Sequence, residues 1–168
     1  YIIENNLILY GGMAVDFSLK FIGEPGVYSK HNIPDYDFYS YEYYEDSIDL
    51  ANILHTNNID KISAINAFHM NTRKVRYNFM DVADISYMPK IFFDKLPYII
   101  YNKMKAIHPN FQRLDMHKSL SNLYTNSPMD NFRHRVEKDI IRFNLLEKHF
   151  KMGTDYKVVS GTTTIKIP

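Results

Sequence analysis

Two aspartates stand one residue apart in Asp35-Tyr36-Asp37, directly after Pro34. Proline biases its predecessor to extended geometry, and the alternating run Asp35 to Ser40 (DYDFYS) reads as a strand. Residues two apart on a strand share a face, so the two carboxylates stand side by side. Like charges that close resist ionising together unless a cation sits between them. Hard divalent ions take carboxylate oxygens, and Mg²⁺ sites commonly combine one or two such groups with substrate phosphate. The pair therefore suits metal-dependent phosphoryl chemistry. Taken alone, it also reads as two solvated carboxylates at a strand edge, because a bare Asp-x-Asp arises readily by chance.

Two further features bear on that choice. Gly11-Gly12 follows a short apolar run, Leu7 to Tyr10, and opens a helical pattern. Glycine lets backbone N–H groups approach an anion closely, and a helix N-terminus favours negative charge. The simpler account of the two glycines is a tight turn. A third carboxylate lies in the β-like stretch Phe79 to Ser86, where Asp84 sits between Ala83 and Ile85. A buried lone aspartate is costly unless paired or metal-bound. Asp81 is the rival third carboxylate. Three positions away, it faces the opposite side of a regular strand, so Asp84 is preferred and Asp81 is placed at a bulge or turn.

The elements that must hold these residues follow from periodicity. Met13 to Ile22 reads as a helix with two apolar rows, Met13/Phe17/Phe21 and Val15/Leu19/Ile22. Gly23 to Pro34 reads as a loop, and Tyr41 to Asn58 as a helix whose inner row is Tyr44, Ile48, Ala51 and Leu54. Lys61 to Phe68 and Arg73 to Phe79 read as strands joined by His69-Met70-Asn71-Thr72, and Val82 to Tyr87 as a third. Strand, helix, strand, helix and three strands predict an α+β mixed sheet with helices on one side. Beyond Pro89, Lys90 to Ala106 reads as a helix interrupted at Pro97, and His108 to Ser127 as irregular. Asp130 to Phe150 reads as a clear amphipathic helix, and Thr154 to Pro168 as β-like. The predicted domains are a catalytic core over 1–88 and, over 89–168, a mainly helical segment with a terminal β-like run that begins a second module. The chain reads as part of a longer protein.

Composition narrows the function classes. The chain has 168 residues, enough to bury a core without covalent staples. Twenty basic residues against 19 acidic ones exclude a histone-like polycation and an acidic tail. Cysteine is absent, which removes disulfides, thiolate metal sites and a cysteine nucleophile. The histidines show no zinc spacing, and there is neither a P-loop nor a G-x-S-x-G elbow. Charges interrupt every apolar run well short of a membrane helix. Ile, Asn, Lys, Tyr, Phe and Met dominate, which reads as the mark of an A/T-rich genome.

Gly11-Gly12, Asp35/Asp37 and Asp84 together resemble the nucleotidyltransferase superfamily that includes DNA polymerase β and the poly(A) polymerases. YGGMAVDFSLK, IPDYDFYS, VADISYMP, the stretch His108 to Ser121 and FRHRVEKDIIRF are similar to poly(A) polymerase catalytic subunits of large cytoplasmic DNA viruses, mimivirus-like and African-swine-fever-virus-like. The interval from Gly12 to Asp35 is longer than is usual in the superfamily.

The resemblance implies a polymerase-β-like fold and a template-independent transfer of AMP from ATP to RNA 3′ ends. It implies that Asp35, Asp37 and Asp84 are catalytic and hold two Mg²⁺ or Mn²⁺ ions, with Asp84 helping to deprotonate the 3′-hydroxyl. Gly11 and Gly12 are then expected to seat the triphosphate. Lys118 and Ser119 are further candidates for phosphate contact, the alternative being an ordinary loop. Arg133, Arg135 and Lys138 are candidates for RNA phosphate contact, the alternative being a solvated helix face. Expected partners are ATP, an RNA 3′ end, and a second copy or a partner subunit, with no membrane. The expected location is the virus factory of the host cytoplasm and the virion. Two rival functions remain: transfer to another acceptor (tRNA, protein or small molecule), and a silent RNA-binding subunit of the same fold.

Overall fold

The computed structural model describes residues 1–29, 31–32, 34–121 and 132–151. The expected strand over Thr154 to Pro168 lies outside them. Strand β1 (Ile8–Leu9) leads into helix α1 (Gly11–Phe21), then β2 (Tyr36–Ser40) and α2 (Tyr43–Thr56). Strands β3 (Ile62–Asn66), β4 (Thr72–Tyr77) and β5 (Met80–Tyr87) follow. The short helix α3 (Lys90–Phe93) precedes β6 (Tyr98–Tyr101) and β7 (Met104–Ile107), and α4 (Pro109–Ser121) and α5 (Phe132–His149) complete the order.

The strands form one mixed sheet in the order β3-β4-β5-β2-β1-β7-β6. β2 runs parallel to β5 and β1 parallel to β7, while the other neighbours are antiparallel. Three strand pairs turn through short loops. The two-residue connections are Asn78-Phe79 and Asn102-Lys103, all four at positive φ, the left-handed geometry that suits the twist of a tight hairpin.

Helix α1 is buried from Gly12 to Leu19 because it is the middle layer. Its Met13, Ala14 and Phe17 pack with Leu9, Phe38, Val75 and Ile85 of the sheet. Its Val15 and Leu19 pack with Met116 of α4 and Leu146 and Phe150 toward the end of α5. The two apolar rows read from the sequence thus face two cores, one on each side of a single helix, except that Phe21 at the end of the first row is exposed.

Three expectations are corrected. Lys90 to Ala106 is not a helix: after α3, Pro97 breaks the pattern and Tyr98 to Ile107 forms a hairpin that joins the main sheet at β1. The sheet therefore runs on past residue 88. His108 to Ser121 is regular rather than irregular. The buried His108 side chain accepts the Asn110 backbone N–H at Nδ1, 3.1 Å away, and Pro109 fills the first helical position, where its missing N–H costs nothing. In α2 the inner face is Tyr43, Ser47, Leu50, Ala51 and Leu54, whereas Tyr44 and Ile48 are exposed. Ser47 Oγ sits at the centre of that face, donating to the Tyr44 carbonyl and accepting from Arg73 Nε.

Candidate active site

The parallel pairing of β2 with β5 sets Asp37 directly beside Asp84. Asp35 lies just ahead of β2. On the far side of β5 the register with β4 slips: Val75 faces Ala83, but Arg76 faces Asp81, leaving Val82 as an extra residue. Such a bulge breaks the two-residue alternation of side chains. It turns Asp81 toward Asp84 although the two are three residues apart. Carboxylate oxygens of Asp35, Asp81 and Asp84 consequently lie within 4.8 Å of one another.

Charge repulsion and burial are visible in the titration of these groups. Burial, then Asp35 and Asp84, push the Asp37 carboxyl up to about 7. Burial raises Asp84 above the ordinary carboxylate range despite Lys74 beside it. Asp81, gripped by Lys74 at 2.7 Å and Arg76 at 2.6 Å, is held below that range although burial opposes the shift. Lys74 also approaches Asp84 Oδ1 to 2.9 Å. The buried Oδ1 is thus met by an ammonium and by no other donor among the described residues. A buried carboxylate oxygen held only by an ammonium, amid clustered carboxylates, suits a hard divalent cation, which takes oxygen ligands.

Gly11 closes the other wall. Its φ is +65°, and a Cβ there would collide with Asp37 Oδ2, so only glycine permits this approach. Its N–H donates to Gln112 Oε1 at 3.0 Å. A Cβ on Gly12 would meet the Tyr28 hydroxyl and the Arg142 guanidinium. Arg142 donates to that hydroxyl at 2.8 Å. Tyr28 is itself held by the Gly23-to-Pro34 loop: its N–H donates to Oδ1 of buried Asp16 at 3.1 Å, and Gly26 leaves the space that Asp16 occupies. The long Gly12-to-Asp35 interval thus delivers a tyrosine to the α1 N-terminus.

These walls enclose a cleft of ≈ 690 Å³. Asp37, Asp84, Gly11, Lys118, Ser119, Arg135 and Lys138 all line it. Lys118 and Ser119 stand exposed on the last turn of α4, a helix rather than the loop that was the alternative. Lys138 is held below the usual ammonium range by burial and by nearby Arg142. Arg133 is not brought in: its side chain is 91% exposed and paired with Glu137 one turn away.

A family model described as the poly(A) polymerase catalytic subunit matches residues 1–126. The chain belongs to the poly(A) polymerase catalytic subunit family. A member named for that subunit in African swine fever virus (isolate Tick/Malawi/Lil 20-1/1983) is 38% identical over the whole of this chain, which covers 35% of that relative. The corresponding protein of Acanthamoeba polyphaga mimivirus is 25% identical, and the chain covers 27% of it. The chain spans between about a quarter and a third of the length of these curated relatives. The crystal structure of the Megavirus polyadenylate synthase superposes with a TM-score of 0.80 at 25% identity, over 90% of this chain and 30% of that one. The mixed sheet with helices is therefore the fold of a poly(A) polymerase.

Sequence reasoning missed several residues of this family member's cleft. Arg142 and Tyr28 meet over Gly12, Gln112 holds the Gly11 N–H, and Lys74 sits among the carboxylates. Arg142 lies on the same predicted amphipathic helix as Arg133, Arg135 and Lys138 and is not among the candidates read from it. Lys74 sits in the unremarkable run Thr72 to Tyr77. Neither carried a spacing signal.

Proposed function

We propose that this chain carries the catalytic site of a template-independent polynucleotide adenylyltransferase, which adds AMP from ATP to RNA 3′ ends. The observation that supports it most is the carboxylate cluster at β2 and β5: Asp37 stands beside Asp84 and against Gly11 at the start of α1, and Asp35 and Asp81 lie with Asp84 within 4.8 Å. The cleft that Asp37 and Asp84 line also holds Lys118, Arg135, Lys138 and Arg142. Asp35, Asp37 and Asp84 are the residues that would hold divalent metal. Two ions, Mg²⁺ or Mn²⁺, supply Lewis-acid charge to the reacting oxygens when bound.

The residues of the chain do the remaining work. Gly11 and Gly12 let backbone approach the triphosphate, aided by the positive end of α1. Arg142 adds a guanidinium beside Gly12, and Lys118 and Ser119 reach phosphate oxygens from α4. Asp84 orients the RNA 3′-hydroxyl and takes its proton. The hydroxyl oxygen bonds to the α-phosphorus as the bond from that phosphorus to the β-phosphate breaks, and pyrophosphate leaves. Arg135 and Lys138 follow the RNA backbone, with Arg133 at the outer end of the same helix.

We place the catalytic core in residues 1–88, with the β6–β7 hairpin completing its sheet and α4–α5 beginning a second module. ATP and RNA are the substrates, and a second copy or a partner subunit is the proposed assembly. The virus factory of the host cytoplasm and the virion are the proposed locations; among the described residues no helix is long and apolar enough to cross a membrane.

The test is primer extension with labelled single-stranded RNA, Mg²⁺ or Mn²⁺, and each nucleoside triphosphate separately. Ladders with ATP, lost in Asp35→Ala/Asp37→Ala, support the proposal. No extension by the folded full-length protein with either metal overturns it and points to another acceptor or a silent subunit.

A further inference from the structure

Lys74 occupies an unusual place for a lysine in a metal site. It lies on β4 directly across from Asp84. Its ammonium is 2.7 Å from Asp81 Oδ2 and 2.9 Å from Asp84 Oδ1, and its side chain is only 18% exposed. The same two aspartates, with Asp35, are the oxygens gathered within 4.8 Å. The ammonium and a divalent ion would therefore compete for one carboxylate group.

The two contacts are unequal. Lys74 sits closer to Asp81, at 2.7 Å in a well-formed hydrogen bond, than to Asp84, at 2.9 Å. Asp81 has a second cation, Arg76, at 2.6 Å. Asp84 has no such second cation among the ion pairs of the described residues. Without a counter-charge, three carboxylates this close would repel one another strongly. Lys74 offsets that repulsion, and its four-carbon stem and single compact charge let it swing away, unlike the rigid fork of an arginine.

We infer that Lys74 is a built-in, displaceable counter-cation of the carboxylate cluster, anchored through Asp81, which holds the metal-free site together and must leave Asp84 when a divalent ion enters. This rests on the metal-dependent reading above and deepens it. Asp81 is on this account the anchor of the lysine, and Asp84 the carboxylate that changes partner. The lysine then sets the metal affinity: it keeps the site intact at low metal but weakens binding by its own charge.

The experiment is a Mn²⁺ titration of the full chain without nucleotide, followed through the free-ion electron paramagnetic resonance signal. Wild type, Lys74→Met, Lys74→Arg and Asp84→Asn are compared, with circular dichroism checking the fold. A unit positive charge removed from the edge of the site predicts binding about tenfold tighter in Lys74→Met. Lys74→Arg keeps the charge and adds a fork that grips both carboxylates, so its binding weakens severalfold. Wild-type binding with Lys74→Met unimproved or weaker overturns the inference alone. No binding by either protein, or binding unaffected by Asp84→Asn, overturns the inference together with the metal reading. Lysine acetylation read by mass spectrometry on the wild type covers the case of a misfolded variant. Lys74 should label several times faster with saturating Mg²⁺, and equal labelling overturns the inference.

Discussion

Replacing Asp37 by asparagine should stabilise the metal-free protein, although Asp37 is a proposed catalytic residue. Its carboxyl moves from the ordinary 3.8 to about 7, through burial and then through Asp35 and Asp84. At roughly 1.4 kcal/mol for each tenfold change in proton affinity, the ionised form costs the native state up to ~4 kcal/mol. Relaxation of the neighbouring carboxylates takes part of this, leaving ~2 kcal/mol or more in a measurement. A raised native value means stability that is complete below the unfolded value and is lost as pH rises through about 7. Asparagine resembles the protonated form and escapes that loss. In EDTA at about pH 8, Asp37→Asn should therefore unfold in urea with a free energy ~2–4 kcal/mol above wild type. Near pH 4.5 the advantage should shrink at least about twofold, because wild-type Asp37 is then neutral in the native state. Titrations of His108 and Asp115 occur in both proteins and cancel in the difference, whereas Asp84 is coupled to Asp37 and its relaxation is part of the measured gap. Saturating Mg²⁺ should reverse the order, since only the wild type offers the full carboxylate set. A variant less stable than wild type at the higher pH without metal would refute the argument, as would a gap that ignores pH.

Three other outcomes are expected. Gly11→Ala forces a side chain into a left-handed backbone and onto Asp37, so it should cost ~2 kcal/mol or more in urea unfolding; Gly12→Ala meets only the tips of Tyr28 and Arg142 and should cost well under half as much. Arg142→Ala should raise the KM for ATP about tenfold in primer extension while lowering stability by ~1 kcal/mol, and an unchanged KM would remove Arg142 from the triphosphate seat. Burial lowers His108 from 6.5 to about 4, so its stabilising neutral form is lost as pH falls through that window. Relative to His108→Asn, wild type should lose up to ~3 kcal/mol between about pH 7 and pH 4, and parallel stability curves would contradict this.

The parts of the site that were legible in the sequence are those written in local pattern. Pro34 and the alternation after it announce strand β2, which carries Asp37, with Asp35 one residue ahead of the strand, and the two rows of α1 announce a helix with a core on each side. The hairpin from β3 to β4 was visible as two β-like runs joined by His69-Met70-Asn71-Thr72. What stayed hidden depends on partners far along the chain. β6 and β7 turn at Asn102-Lys103, which lacks the glycine that usually marks such a turn. Ser47 hid the inner face of α2, because a serine at its centre reads as polar until Arg73 is seen to bond it. The Val82 bulge is invisible in one strand alone, since only the slip against β4 reveals that Asp81 has turned. Arg142 and Tyr28, far apart in sequence, meet only because α5 and the Gly23-to-Pro34 loop both fold over α1.

The parallel contact between β2 and β5 also sets a schedule. Asp37 and Asp84 become neighbours only after α2, β3 and β4 have been made and the chain has crossed back. Closing so long a connection is entropically slow compared with forming the hairpins inside it. On a ribosome, the Asp-x-Asp strand emerges well before the residue that completes the cluster. On the proposed metal-binding reading, the nascent protein cannot concentrate divalent ions until β5 has docked. Metal uptake during synthesis would then report the moment at which the central sheet closes.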